Sequence, residues 1–303
     1  MYKDKVTEFF VELDDFYKEF DAIVKQTKLE SGFSKTRNRK TIMSEAEMMS
    51  ILLLFQYGHF TNFKHFYIYY VQKHLQDCFP KTCSYSRFIQ LQSRIAIPLM
   101  LFLKHRCMGK SRGINFIDST IIRVCHIKRE KQNKVFKGVA VKGKSTMGWF
   151  FGFKLHLIIN DKGEILSFYL TKGNVDDRDV KVLTTMTKDV FGKLFGDKGY
   201  ISKALSELLF NDGIQLITKV RKNMKQQNLS SEDQILLRKR ALIESVNDEL
   251  KNICKIEHTR HRSISGFIIN LTSGLCAYHF FPKKPSLNII PDERFKNQLS
   301  LIA

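Results

Sequence analysis

The spacing of apolar residues changes near Gly113, and that change limits the architectures open to this chain more than any other feature of it. Before it, the pattern is helical. Val6, Phe9, Phe10, Leu13 and Phe16 fall near one face of a helix over residues 1–25. Ser44, with Glu47 three residues on, makes a capping box ahead of Met48, Met49, Ile51, Leu52 and Leu53. Gly58 ends that helix, Thr61 or Asn62 can cap the next, and SYSRFIQLQSR leads into the apolar run IAIPLMLFLKH. Residues 1–108 therefore read as all-helical. Two readings of them stand: a helix-turn-helix layout of the kind that binds DNA, and a plain bundle packed on the part of the chain that follows.

After Gly113 strands and helices alternate. INFIDS and WFFGFKLHLII read as strands, and residues 160–163 as a turn into a third strand, EILSFYLT. A helix is expected over 174–188, then a short strand ending in KLFGD, a helix from Ser202 to Phe210 and a strand in IQLITKV. One long helix should run from Ser231 to Cys254, capped by Ser231. The expected fold is α/β around a mixed sheet, with a helical region over 1–108, a catalytic domain over 109–285 and a tail over 286–303. The segment from Tyr278 onward holds three of the five prolines, which suits a surface extension.

Fifty Lys and Arg stand against thirty Asp and Glu, a net charge of +20. Such a surplus predicts attraction to a polyanion, with nucleic acid the foremost partner. A membrane is disfavoured: the longest apolar runs, Ile51 to Phe55 and Ile95 to Leu103, are too short to span one. The N-terminus MYKDKVTEFF lacks the apolar stretch of a signal peptide, so a cytoplasmic location is expected. Six scattered cysteines without a CxxC pair read as packing residues. Cys254, His258 and His261 have spacings open to zinc, but no fourth ligand is near and the segment is basic.

Two aspartates stand at the ends of apolar strands, Asp118 after INFI and Asp197 after KLFG. Singly, each could be a turn or cap residue. Together they suit a site at strand ends, where α/β folds place their ligands. Glu244 lies beside the buried face outlined by Leu242, Ile243, Val246 and Leu250, in line with Arg240 one turn before it and Lys251 two turns after. A helical charge stripe is the plainer alternative. Converging carboxylates repel one another unless a cation joins them, and oxygen ligands select hard ions such as Mg²⁺ or Mn²⁺. A pair of such ions serves phosphoryl transfer, which the basic chain directs to nucleic acid.

These residues resemble the DDE transposases, enzymes with a ribonuclease-H-like fold. GDKGY matches the family's Asp-x-Gly-Tyr turn, and Arg240, Glu244 and Lys251 match its Arg-Glu-Lys helix signature. Leu237 stands where that signature often has Tyr. NKVFKG, KSTMGWFFGFKLHLIINDKGE and GNVDDR are similar to the insertion sequence 982 group of bacterial elements. The resemblance implies that Asp118, Asp197 and Glu244 are catalytic and bind two ions, that Lys251 contacts DNA, and that a dimer brings two element ends together at the nucleoid. The implied reaction is cleavage at element ends followed by strand transfer. A DNA-binding descendant without catalysis and a nuclease without strand transfer are the alternatives.

Beside Asp118 runs a basic segment: Arg123, Lys128, Arg129, Lys131, Lys134, Lys137, Lys142 and Lys144 face one acid, Glu130. It is expected to track a DNA backbone, with a solvated charge run as the alternative. Within it, residues 138–145 match a phosphate-binding loop letter for letter, but an expected strand follows where that loop needs a helix. Asp176, Asp177 and Asp179 are expected to cap a helix. Trp149 is the one candidate for base stacking, although burial is expected of it, and His156 reads as a core, supporting or catalytic histidine.

Overall fold

The computed structural model describes residues 2–30, 41–219, 229–258 and 260–287. Helix α1 (Tyr2–Glu30) buries Val6, Phe9, Leu13 and Phe16, the face that the spacing outlines. In α2 (Glu45–Tyr57), Ser44 Oγ accepts from the Glu47 N–H at 3.1 Å while Glu47 Oε2 accepts from the Ser44 N–H at 2.6 Å. The capping box is formed as read. This helix is buried nearly all round, which makes it central. A third helix, α3 (63–74), starts at Asn62, whose Oδ1 accepts from His65 N–H, and widens into a π turn over Phe66–Val71. Helix α4 (Tyr85–Phe102) is capped by Ser84 and winds on as a π turn over Leu103–Cys107.

Six strands form one mixed sheet: β1 (Ile114–Cys125), β2 (Val141–Ser145), β3 (Gly148–Asn160), β4 (Ile165–Lys172), β5 (Gly192–Gly196) and β6 (Ile214–Thr218). β3 lies antiparallel between β1 on one edge and both β2 and β4 on the other, while β1, β5 and β6 run parallel. Helices α5 (Val180–Met186) and α6 (Lys203–Asn211) pack on one face over Ile117 and Ile158. The opposite face carries Phe116, Ile122, Phe153, Leu155 and Leu157 into a second, larger core. Into that core also go α8 (Ala241–Asn252), α9 (Ile264–His279) and the buried side chains of α1 to α4. Helix α9 lies against α2 and α4, and Gln56 Nε2 donates to Asn270 Oδ1 at 2.8 Å. The helical region is thus a bundle whose core is continuous with one face of the sheet.

Several expected elements differ. β1 does not stop at Ser119 but continues to Cys125, because β3 pairs with it along that length; Asp118 is therefore a mid-strand residue opposite Leu157. The helix expected over 174–188 shortens to α5, since Asp179 takes the cap position and accepts from Val182 N–H at 3.0 Å. The long helix expected from Ser231 breaks into α7 (Ser231–Arg238) and α8. Leu242 N–H donates to Lys239 O and Ile243 N–H to Arg240 O, a tightened turn that redirects the chain. The cap of α7 is Ser230, not Ser231. Residues 31–40, a basic link in the sequence, and 288–303 of the expected tail lie outside the described residues.

Candidate active site

Asp118 points from β1 toward α8. Its Oδ2 accepts from Asn247 Nδ2 at 3.1 Å, and its Oδ1 stands 3.7 Å from Arg240 Nη1. Arg240 is the residue on which the chain turns into α8, and its other terminal nitrogen donates to Glu244 Oε1, in the first turn of that helix. One guanidinium therefore joins a strand carboxylate to a helix carboxylate. The break between α7 and α8 makes this possible, because it sets Arg240 at a helix start beside the sheet. Asp197 follows β5. Its Oδ1 accepts from the Gly199 N–H in a short 3₁₀ turn, Lys198–Tyr200. A Cβ at Gly199 would stand 2.7 Å from Asp197 Oδ1 and 4.0 Å from Asp177 Oδ2, so the glycine lets two carboxylates flank the turn.

Burial pushes the Asp118 carboxyl up to about 6; Arg240 and the Ser119 N–H pull it down, and the negative charges of Asp197 and Glu244 push it up again. Asp118 thus senses the other two acids as like charges. Among the described residues no three His, Cys, Asp or Glu side chains are gathered closely enough to hold one ion. Arg240 draws Asp118 and Glu244 together, while Asp197 is held by its own turn. The donor set still fits a hard divalent cation: every donor is a carboxylate oxygen, and two of the three share one guanidinium.

On the other face of β1, Ser119 Oγ donates to Asp177 Oδ1 at 2.8 Å, and Lys154 Nζ donates to the same oxygen at 3.1 Å. Of the three neighbouring acids, Asp179 is the cap and Asp176 pairs with Arg178. Asp177 instead braces β1 against β3, which its place beside a helix start did not reveal. Tyr200 is buried nearby, its phenol pushed well up by burial and by Asp177, Asp118 and Asp197. His156 is wholly buried with Nε2 2.9 Å from Thr171 Oγ1, and burial holds its imidazole down to about 4, so it is neutral. Its place is in the core of the sheet.

The basic residues fall into three groups. Arg123 and Lys251 both reach Glu257, whose Oε1 accepts from Arg123 Nη1 at 3.1 Å and whose Oε2 stands 3.4 Å from Lys251 Nζ. Lys128, Arg129, Lys131, Lys134 and Lys137 are exposed along the 3₁₀ turn Ile127–Gln132 and the loop after it. Lys142 and Lys144 stand 4.8 and 5.7 Å from the Trp149 ring centroid. Trp149 is 56% exposed, contrary to the burial expected for it, because β1 ends opposite Phe151 and leaves β3 without a partner on that edge. Residues 138–145 run into β2 rather than a helix, so the phosphate-loop geometry is absent there. Cys254 is buried with its thiol pushed up, and His258 and His261 pack edge to face at 5.0 Å.

A sequence model of the family described as "Transposase DDE domain" matches residues 108–264, more than half of the chain and all three carboxylates. The chain belongs to the DDE transposases. It is accordingly a metal-dependent enzyme of DNA transposition, with a mixed sheet preceded by helices. No curated protein matches this transposase in sequence. Among solved structures it is similar to a piggyBac transposase synaptic complex with hairpin DNA, at 11% identity and a TM-score of 0.44, over 96% of this chain and 76% of that one. It is also similar to the Mos1 strand transfer complex, at 12% identity and a TM-score of 0.25, over 84% and 82%. Among the described residues of the transposase, no helix is long and apolar enough to cross a membrane.

Proposed function

We propose that Asp118, Asp197 and Glu244 are the metal-binding carboxylates of a transposase that cuts the ends of an insertion element and joins them to target DNA. The observation that carries this reading is the Arg240 guanidinium, which neutralises Asp118 and Glu244 from two separate elements where a cation is otherwise needed. Mg²⁺ or Mn²⁺, as two ions, would be held there and would supply an activated oxygen nucleophile and a stabilised leaving oxygen. In cleavage, a water oxygen bonds to phosphorus and the bond to the 3′ oxygen breaks, leaving a 3′-hydroxyl. In joining, that hydroxyl attacks a target phosphorus and the target's own 3′ oxygen leaves with a proton.

The chain's residues have distinct tasks in this scheme. Asn247 fixes the rotamer of Asp118 without adding charge. Arg240, beside two of the carboxylates, and Lys251 and Arg123, gathered on Glu257, suit the phosphates flanking the cut. Lys128, Arg129, Lys131, Lys134, Lys137, Lys142 and Lys144 suit the backbone farther along. The division into a helical region over 1–108, a catalytic domain over 109–285 and a tail over 286–303 belongs to the same reading. So do membership of the insertion sequence 982 group, work at a bacterial nucleoid, and a dimer that pairs two ends.

The test is a labelled element-end duplex incubated with Mg²⁺ or Mn²⁺ and with chelator, comparing wild type with Glu244→Gln and Asp118→Asn. Metal-dependent joined product that vanishes in both variants, with DNA binding retained, is expected. Joined product from Glu244→Gln at the wild-type rate would remove Glu244 from the site.

A further inference from the structure

We propose that the β2–β3 hairpin is a finger for an unpaired base, on which the Trp149 indole stacks while Lys142 and Lys144 hold the adjoining phosphates. The proposal rests on the DNA-binding reading above and specifies the kind of DNA that this surface takes.

Trp149 is the chain's only tryptophan and is 56% exposed; Met147, at the tip of the same hairpin, is 86% exposed. Large apolar side chains left in water at a projecting tip mark a contact surface. The hairpin is not loose. Phe150 and Phe151 are buried, and Gly143 leaves no room for a side chain, since a Cβ there would collide with the Gly173 carbonyl. At the tip, Ser145 Oγ accepts from the Met147 N–H at 3.2 Å and donates to Gly148 O at 3.1 Å. The ring is therefore presented on a braced support.

The surroundings of the ring select its partner. Lys144 is the cross-strand neighbour of Trp149, and Lys142 lies two residues along on the same face. Both ammonium groups sit against the indole, so an occupant must combine a flat π surface with negative charge on either side. An unpaired nucleotide has both; in a fully paired duplex the base faces are already stacked. A second copy of this chain is a poor occupant, because it brings +20 and the same lysines. The alternation of β3 also puts Trp149, Phe151, Phe153, Leu155 and Leu157 on one face, and Leu157 is paired with Asp118. Eight strand residues at about 3.3 Å each set the ring roughly 26 Å from the carboxylates. A strand cut at Asp118 would thus meet the finger several nucleotides from the cut.

Because Trp149 is the sole tryptophan, its emission reports on this surface in the full-length protein. In chelator, two DNAs of equal length would be titrated, one fully paired and one with a short unpaired stretch. Binding is followed separately by the anisotropy of a dye on the DNA. Binding of both is expected, with tryptophan quenching by the unpaired DNA alone. Trp149→Ala should weaken the unpaired DNA on the order of 5- to 100-fold, Trp149→Phe less, and neither should change affinity for the paired duplex. Equal quenching by both DNAs, or an equal loss of both in Trp149→Ala, overturns the finger and leaves DNA binding intact. No anisotropy change with either DNA removes both readings. A blue shift that grows with protein concentration alone would show a second copy covering the ring, and would also overturn the proposal.

Discussion

Asn247 shows what a neutral side chain contributes to an acidic site. It lies one turn after Glu244 on α8 and donates to Asp118 Oδ2, holding the carboxylate without changing the charge balance. A hydrogen bond to a charged group is worth about 1.5–3 kcal/mol, so Asn247→Ala should slow cleavage by about 10- to 100-fold. Single-turnover cleavage beside DNA anisotropy checks this, the second readout staying constant. His156 and His261 make a second case, because burial holds both down to about 4 from an ordinary value of 6.5. The folded chain resists protons that the unfolded chain accepts. Stability is then full above pH 6.5 and declines as pH falls toward 4, by up to about 2 kcal/mol per histidine at pH 5. Urea unfolding at pH 7.5 and 5 measures it. The three proposed carboxylates could be picked out in the sequence from an apolar run before each aspartate and a half-buried helix around Glu244, although Asp118 lies within β1 and not at its end. Asn247, Asp177 and Glu257 were not, since each matters through a partner distant in the chain. The exposure of Trp149 was hidden for another reason: alternation tells which face a residue takes, not where the neighbouring strand ends.

At the scale of elements, five of the six described strands and their order were readable because a buried sheet imposes apolar runs; β2, with the sequence VKGKS, has no such run and read only as part of a basic segment. The break between α7 and α8 was not. Lys239 and Arg240 are good helix formers, so local preference favours an unbroken helix, and only packing against the sheet decides otherwise. That break sets the Arg240 guanidinium between Asp118 and Glu244. In the β2–β3 hairpin, the fit is set by Gly143 lying under the Gly173 carbonyl. Gly143→Ala should cost about 1–3 kcal/mol, read as a lower thermal midpoint, and should loosen the Trp149 support. A variant with an unchanged midpoint would mean that the strand shifts freely there.

For the whole molecule, charge and core act separately. The surplus of +20 predicts DNA affinity that falls steeply with salt, at a log–log slope of about 0.9 per phosphate neutralised. Replacing Lys128, Arg129 and Lys131 together by Ala should flatten that slope by about 2–3, whatever the DNA sequence; an unchanged slope would mean that this turn faces away from DNA. The core has a different consequence. Helix α9, the last described helix, packs against α2 and α4, far earlier in the chain. During translation the first helices can pack on one another as they emerge, but the faces of α2 and α4 that meet α9 stay bare until α9 has left the ribosome. Fragments that stop before Ile264 would remain open and sticky, marked for proteolysis, so partial products would not persist as competitors for the same DNA ends.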